Sequence, residues 1–76
     1  SNPAIKILVL ADYTMPSLVK MVFRSGAHGY LLAMPTQTAM LQALDALGNA
    51  KSVLDKQLVY LQPILSSVLT TGCVTV

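Results

Sequence analysis

The sequence predicts an α/β fold in which short parallel strands alternate with helices. Two apolar runs, residues 5–10 and 29–33, are too short for helices and lie between turn-forming residues. The segments that follow each run repeat their apolar residues at helical spacing. Of the 76 residues, 54% are hydrophobic and only 11% are charged, a composition that is typical of folded rather than disordered chains. A chain of this length accommodates one small domain with a marginal core.

The first strand and the first helix are predicted in the opening third of the chain. Residues 5–10 form a nearly unbroken apolar run, which predicts a strand buried on both faces. Thr14 is predicted to cap the following helix, Pro16 is tolerated in its first turn, and Gly26 ends it. The predicted buried stripe of this helix consists of Met15, Leu18, Val19, Val22 and Phe23.

The same order is predicted to repeat in the middle of the chain. After the strand at residues 29–33, Thr36 is predicted to cap a second helix, which Gly48 and Asn49 end. Its predicted buried stripe consists of Met40, Leu41, Leu44 and Leu47. A strand, a crossover helix and a next strand at this spacing predict a right-handed parallel unit.

The last third of the chain is predicted to hold one shorter helix and a final apolar segment. Asp55 is predicted to cap a helix of residues 56 to about 65, which is interrupted at Pro63. Residues 68–76 are rich in Val and Thr, and they either add an edge strand or stay disordered.

Three short segments carry a resemblance to a known family. Residues 25–32 read Ser-Gly-Ala-His-Gly-Tyr-Leu-Leu. This run resembles, in order and without a gap, the helix end and Gly-Ala-x-Gly-Tyr signature of bacterial response-regulator receiver domains. Residues 43–47 and 52–55 resemble the helix and linker of the NarL/LuxR branch of that family. Residues 5 to about 65 thus resemble the fourth strand, fourth helix, fifth strand and fifth helix of this CheY-like domain.

The resemblance implies a partial flavodoxin-like (CheY-like) βαβα unit, with short parallel strands flanked by helices. It assigns residues 1–65 to a receiver-like half-domain and residues 66–76 to a C-terminal tail. We expect oligomerisation to complete this unit, because two parallel strands expose two open edges and need cover on both faces. The expected partner is a second copy of the chain or a complementary half-domain.

The resemblance also bears on phosphate chemistry. The family's phosphoacceptor aspartate and the acidic residues that help bind magnesium lie in the half that this chain lacks, so we assign no phosphoacceptor, metal ligand or cofactor. Ala11 stands where the family has a phosphate-sensing hydroxyl residue, and Ala33 stands where it has a lysine. An alanine side chain offers neither a hydrogen bond nor a charge. Tyr30 aligns with the aromatic switch residue, and the alternative interpretation is a tyrosine packed in a short central strand.

Residues that carry chemistry are thinly spread, and no catalytic residue is predicted. The sequence has no paired carboxylates, no Ser/His/Asp grouping and no glycine-rich phosphate loop. Asp12 has the most suggestive position, since it directly follows the first strand, where doubly wound folds place their sites. His28 is a lone histidine without a set of metal-binding partners. We expect a protein that is not an enzyme; the less favoured alternative is an enzyme of another doubly wound family that depends on Asp12.

Two hypotheses describe the function. In the first, the chain is a two-component response-regulator receiver fragment that acts in transcription regulation through protein–protein association. That association is expected on a face formed by the two helices and the second strand, with candidate contacts at Ser17, Lys20, Met21, Arg24, Tyr30, Gln37, Gln42 and Asp45. In the second, the chain is a truncated or split α/β half-domain whose only role is structural self-association.

Charge and cysteine content narrow the partners and the compartment. The formal net charge is +2, from basic residues that are scattered rather than clustered, so no nucleic-acid contact is predicted. Residues 57–76 carry no charge, but their glutamines, serines and threonines argue against membrane insertion. Cys73 is the single cysteine, which favours a reducing cytoplasm and an inert thiol.

Overall fold

The computed structural model describes residues 5–69 and 71–76. In this part of the chain, four parallel strands form one sheet with three α helices and one 3₁₀ helix. The strands are β1 (Leu8–Ala11), β2 (Gly29–Leu32), β3 (Ser52–Leu54) and β4 (Cys73–Thr75). The helices are α1 (Pro16–Arg24), α2 (Gln37–Gly48), the 3₁₀ helix Lys56–Leu61 and α3 (Gln62–Leu65). The predicted α/β alternation is therefore confirmed.

The strands lie in the order β1-β2-β3-β4, and helices cover both faces of the sheet. One hydrophobic cluster joins α1, the 3₁₀ helix and α3 to one face, which we call the α1 face. A second cluster joins α2 to the opposite face, which we call the α2 face. Each of the three connections leads from one strand to its neighbour in the same direction across the sheet. A connection whose helix lies on the α1 face therefore has the opposite hand to one whose helix lies on the α2 face. The three connections thus cannot all be right-handed, although about 98% of such units are.

Side-chain caps place the starts of two helices where the sequence predicts them. The Thr36 hydroxyl accepts a hydrogen bond from the Ala39 N–H at 3.1 Å, at the start of α2. The Asp55 carboxylate accepts one from the Gln57 N–H at 2.8 Å, at the start of the 3₁₀ helix. Both contacts depend on residues two or three apart, so local sequence is enough to predict them.

The structure corrects the prediction for the first strand and helix. β1 is not buried on both faces, because Leu8, Val9 and Ala11 are only half-buried and Ile5, Ile7 and Leu10 are exposed. Thr14 does not cap α1; Met15 occupies the N-cap position and makes no side-chain cap hydrogen bond. Pro16 supplies the helical φ angle at the first position instead.

The buried face of α2 also differs from the predicted leucine stripe. Ala43, Ala46 and Leu47 pack against the sheet, whereas Leu41 and Leu44 are exposed. Small alanine side chains allow α2 to lie close to β2 and β3. The helix is rotated about its axis relative to the predicted orientation, so that Leu41 and Leu44 face outwards.

β3 and β4 extend a sheet for which the sequence predicts two strands and leaves a third, within residues 68–76, as one of two alternatives. The resemblance assigns residues 52–55 to a linker, yet β3 pairs with β2 on one side and with β4 on the other, and all three of its residues are buried. β4 lies within the segment assigned to a C-terminal tail, and it forms the edge strand that is one of the two alternatives for residues 68–76. With four strands in one chain, oligomerisation is therefore not needed to complete a two-stranded sheet.

Gly26 and Gly29 of the receiver-like run occupy positions that favour glycine, each for a different structural reason. Gly26 follows α1 with a φ angle of +112°, a conformation that side chains disfavour. Gly29 begins β2, where an added Cβ would lie 2.7 Å from Cδ1 of Leu8 and 3.0 Å from Cβ of Val53. Glycine at position 29 thus allows three strands to pack closely.

Gly29→Ala is expected to lower the free energy of unfolding by about 2 kcal/mol, because the Val53 Cβ cannot move without shifting β3. Urea denaturation measures this loss. Gly48→Ala is the matched control, since nothing lies within 4 Å of its added Cβ, and alanine favours the helix by up to about 1 kcal/mol. Equal stabilities for the two variants would contradict the close packing at Gly29.

Candidate functional site

The carboxyl ends of the strands meet at one edge of the sheet, where parallel α/β folds place ligand sites. The structure brings Ala11 and Ala33 together there, since the Ala33 N–H donates to the Ala11 carbonyl at 3.1 Å. Asp12 follows Ala11 and is exposed. The two positions that the resemblance links to phosphate sensing are therefore neighbours, and both present only methyl groups.

Asp55 lies at the same edge and is almost fully buried, with 8% of its surface exposed. One carboxylate oxygen accepts a hydrogen bond from the Gln57 N–H at 2.8 Å, and the other accepts one from the Leu32 N–H at 3.0 Å. The Asp55 N–H in turn donates to the Tyr30 carbonyl at 2.9 Å. Asp55 thus ties the end of β2 to the start of the 3₁₀ helix, a role that the sequence predicts only in part.

A cavity of about 210 Å³ opens beside Asp55. Its walls come from the loop after β2, the start of α2 and the start of the 3₁₀ helix, and the described residues contribute two charged groups to it, Asp55 and Lys56. Met34 forms part of the rim with a φ angle of +63°. Within residues 5–69 and 71–76, no group of three or more His, Cys, Asp or Glu side chains is placed to hold a metal ion. The cavity therefore combines a cation and neutral polar groups with a carboxylate that is already hydrogen-bonded.

Tyr30 is fully buried in the core on the α1 face. Its hydroxyl donates a hydrogen bond to the Tyr13 carbonyl, and the two rings meet edge to face with centroids 5.8 Å apart. Burial, followed by the nearby Tyr13 and Asp12, raises the pKa of Tyr30 to about 12. The residue that resembles an aromatic switch thus occupies an inward, hydrogen-bonded position in this structure.

The predicted helix-strand-helix face does not form one continuous surface. Four of its candidate residues lie on α1 and three lie on α2, on opposite faces of the sheet: Ser17, Lys20, Met21 and Arg24 on the first, and Gln37, Gln42 and Asp45 on the second. β2, which carries Tyr30, lies inside the sheet between β1 and β3. The sequence could not reveal this separation, because it depends on β3 extending the sheet beyond β2.

Exposed apolar side chains lie on and just before β1, whose outer edge we call the open edge. No strand of the described part of the chain pairs with this edge. Ile5 and Ile7 precede β1 and Leu10 lies on it, with 46% to 58% of their surfaces exposed. Natural edge strands usually avoid such a row of apolar side chains, because it favours pairing with another chain.

Backbone directions show which polar groups the open edge presents. The Ile7 and Ala11 carbonyls accept hydrogen bonds from the loop and strand next to β1. Since successive residues of a strand point their N–H and C=O groups to opposite sides, the groups of Leu8 and Leu10 point outwards. The open edge thus offers a short ladder of donors and acceptors to a pairing strand.

The opposite edge of the sheet is less suited to association. β4 is three residues long and places no large hydrophobic residue among the exposed ones; Thr75 is its exposed residue. A short edge strand with a polar side chain is one of the means by which proteins prevent edge pairing.

Comparisons with protein-family models, with curated proteins and with solved structures found no match to the chain. The site is therefore described by its geometry alone. Across the described residues, no helix has both the length and the apolar character needed to cross a bilayer. The uncharged segment of residues 57–76 instead contributes to the 3₁₀ helix, α3 and β4.

His28 and Cys73 both take part in packing. Nδ1 of His28 accepts a hydrogen bond from the Ile7 N–H at 3.0 Å, which fastens the chain just before β1. Cys73 is half-buried on β4, and burial raises the pKa of its thiol. A raised pKa lowers the thiolate fraction and with it the reactivity.

Proposed function

We propose that this chain is a protein-interaction module that associates through the open edge of β1. The observation that carries the proposal is the combination of outward-pointing backbone groups at Leu8 and Leu10 with three exposed apolar side chains on and just before β1. Covering apolar surface is favourable by about 25 cal/mol per Å². Hydrogen bonds between the paired backbone groups also fix the orientation of the partner strand, as in other complexes formed by strand addition.

We further propose a signalling role for this association, on the basis of the resemblance to receiver domains. Its support is the receiver-like run of residues 25–32 and the observed order of strand, helix, strand and helix from β1 to α2. We propose a CheY-like arrangement for these four elements and a regulatory role for the association in the cytoplasm. Ala11 and Ala33 support association without phosphate sensing, because their side chains cannot bind a phosphate oxygen.

The alternative is an α/β half-domain whose association is only structural. It uses the same open edge, and it differs in assigning no regulatory consequence to binding. Both forms of the proposal therefore require the open edge to be the contact surface, which makes this edge the first feature to test.

Leu10→Lys is expected to weaken association by at least about tenfold, since it places a charge within the apolar edge. Sedimentation equilibrium over a dilution series measures the change. Val59→Lys is the matched control, because both parent side chains are 46% exposed and Val59 lies on the 3₁₀ helix, away from β1. Equal association of the two variants would contradict the use of the open edge.

A further inference from the structure

We infer that the partner at the open edge is a second copy of this chain, paired antiparallel with β1 about a two-fold axis at Val9. The inference rests on the proposed function, and it adds the identity of the partner and the register of pairing. Pairing of this kind would join two four-stranded sheets into one continuous sheet, and it closes at two copies.

The backbone of β1 is self-complementary in this register. With Val9 opposite its own copy, Leu8 faces Leu10 of the second copy. The N–H and C=O groups of both residues point to the open edge, so each pair exchanges two hydrogen bonds. The two-fold axis generates this pair twice. A shift of one residue would break the arrangement, because Val9 directs its groups to β2.

Charge complementarity selects the same register. Lys6 and Asp12 flank β1 at equal distances from Val9, and both are exposed. An axis at Val9 therefore places Lys6 of each copy opposite Asp12 of the other. Opposite charges in directly facing positions stabilise antiparallel pairs, and like charges destabilise them. A shift of two residues would separate this pair, because Lys6 would face Leu10 in one direction, and Asp12 would face Leu8 in the other.

Apolar side chains complete the match on both faces of the sheet. On the α2 face, Leu10 is exposed on β1, and Leu41 and Leu44 are exposed on α2, whose other flank lies towards β4. On the α1 face, Ile7 of each copy would face Ala11 of the other. A two-fold axis perpendicular to the sheet brings equal faces together, so Leu10 of each copy would be covered in part by Leu8 of the other.

The experiment reverses the two charges separately and together. Lys6→Asp alone or Asp12→Lys alone is expected to weaken the dimer about tenfold, because each makes two like-charge pairs. A mixture of the two single variants should form a heterodimer, since one chain then carries a carboxylate at both positions and the other carries an ammonium group at both. The double variant Lys6→Asp/Asp12→Lys should recover the parent affinity.

Matched controls make the same charge changes elsewhere. Lys51→Asp and Asp45→Lys alter exposed residues away from β1 and should leave the dimer unchanged. Sedimentation equilibrium gives the affinities, and circular dichroism checks that each variant is folded.

The outcomes separate this inference from the proposed function. Weakening by Leu10→Lys together with no effect of either charge reversal would overturn self-pairing in this register and leave association through the open edge standing. A monomer at every concentration, or a mixture that does not recover the dimer, would also overturn the inference. Recovery in both the mixture and the double variant would support it, because only facing positions compensate in this way.

Discussion

Tyr30→Ala is expected to lower the free energy of unfolding by about 4 kcal/mol, because truncating a buried aromatic residue leaves a cavity that its neighbours cannot fill. The ring is fully buried among residues of α1, the 3₁₀ helix and α3. Small domains have a total stability of about 5 kcal/mol or slightly more. Urea denaturation followed by circular dichroism should therefore find Tyr30→Ala close to unfolding, and any loss of association would follow from the loss of the fold.

Tyr30→Phe separates the hydroxyl from the ring. It keeps the core filled and removes only the hydrogen bond to the Tyr13 carbonyl, so we expect a loss of about 1 kcal/mol. A Tyr30→Ala variant as stable as Tyr30→Phe would contradict the buried position of the ring.

The difference in stability between the parent protein and Tyr30→Phe should depend on pH. The pKa of Tyr30 is raised from its ordinary value of 10.0 to about 12, so the folded state favours the neutral phenol. This contribution to stability is fully present below pH 10.0 and is lost as pH rises towards about 12. The stability difference between the parent protein and Tyr30→Phe should therefore shrink over that interval, and a constant difference would contradict the shift.

Asp55→Ala is expected to lower the free energy of unfolding by about 3 kcal/mol, because two backbone N–H groups lose a charged acceptor in a buried position. The Leu32 N–H at the end of β2 and the Gln57 N–H in the 3₁₀ helix are both affected. Asp55→Asn, which keeps one acceptor oxygen, should give an intermediate loss. Chemical denaturation at neutral pH measures all three proteins.

Asp45→Ala is the control for this series. Asp45 is exposed on α2, so its removal should change stability by no more than about 0.5 kcal/mol. If Asp55→Ala were as stable as this control, water would satisfy the two N–H groups, and Asp55 would not join β2 to the 3₁₀ helix.

Long-range strand pairing explains why local sequence does not predict the full role of Asp55 or the existence of β3. The cap on Gln57 N–H spans two residues, but the bond to Leu32 N–H joins residues 23 apart in sequence. Only the adjacency of β2 and β3 places that N–H within reach. β3 itself has three residues, too few for a periodic pattern, and its burial depends on neighbours from distant parts of the chain.

The candidate surface differs from the predicted one for the same reason. The residues of the predicted helix-strand-helix face do lie on two helices and a strand, but α1 and α2 cover opposite faces, and β2 is an inner strand. The apolar run of residues 5–10 predicts burial on both faces, whereas no residue of β1 is fully buried. Apolar composition indicates that a surface needs cover, and it does not indicate whether the cover comes from the same chain.

By itself, the sequence determined the alternation of strands and helices, the caps at Thr36 and Asp55, and the end of α2 at Gly48, because each depends on residues within one or two turns of one another. Tertiary structure alone decided the strand order, the face on which each helix lies and the identity of the open edge. These properties depend on which distant segments become neighbours, and that choice is made by the packing of the whole chain rather than by any local preference.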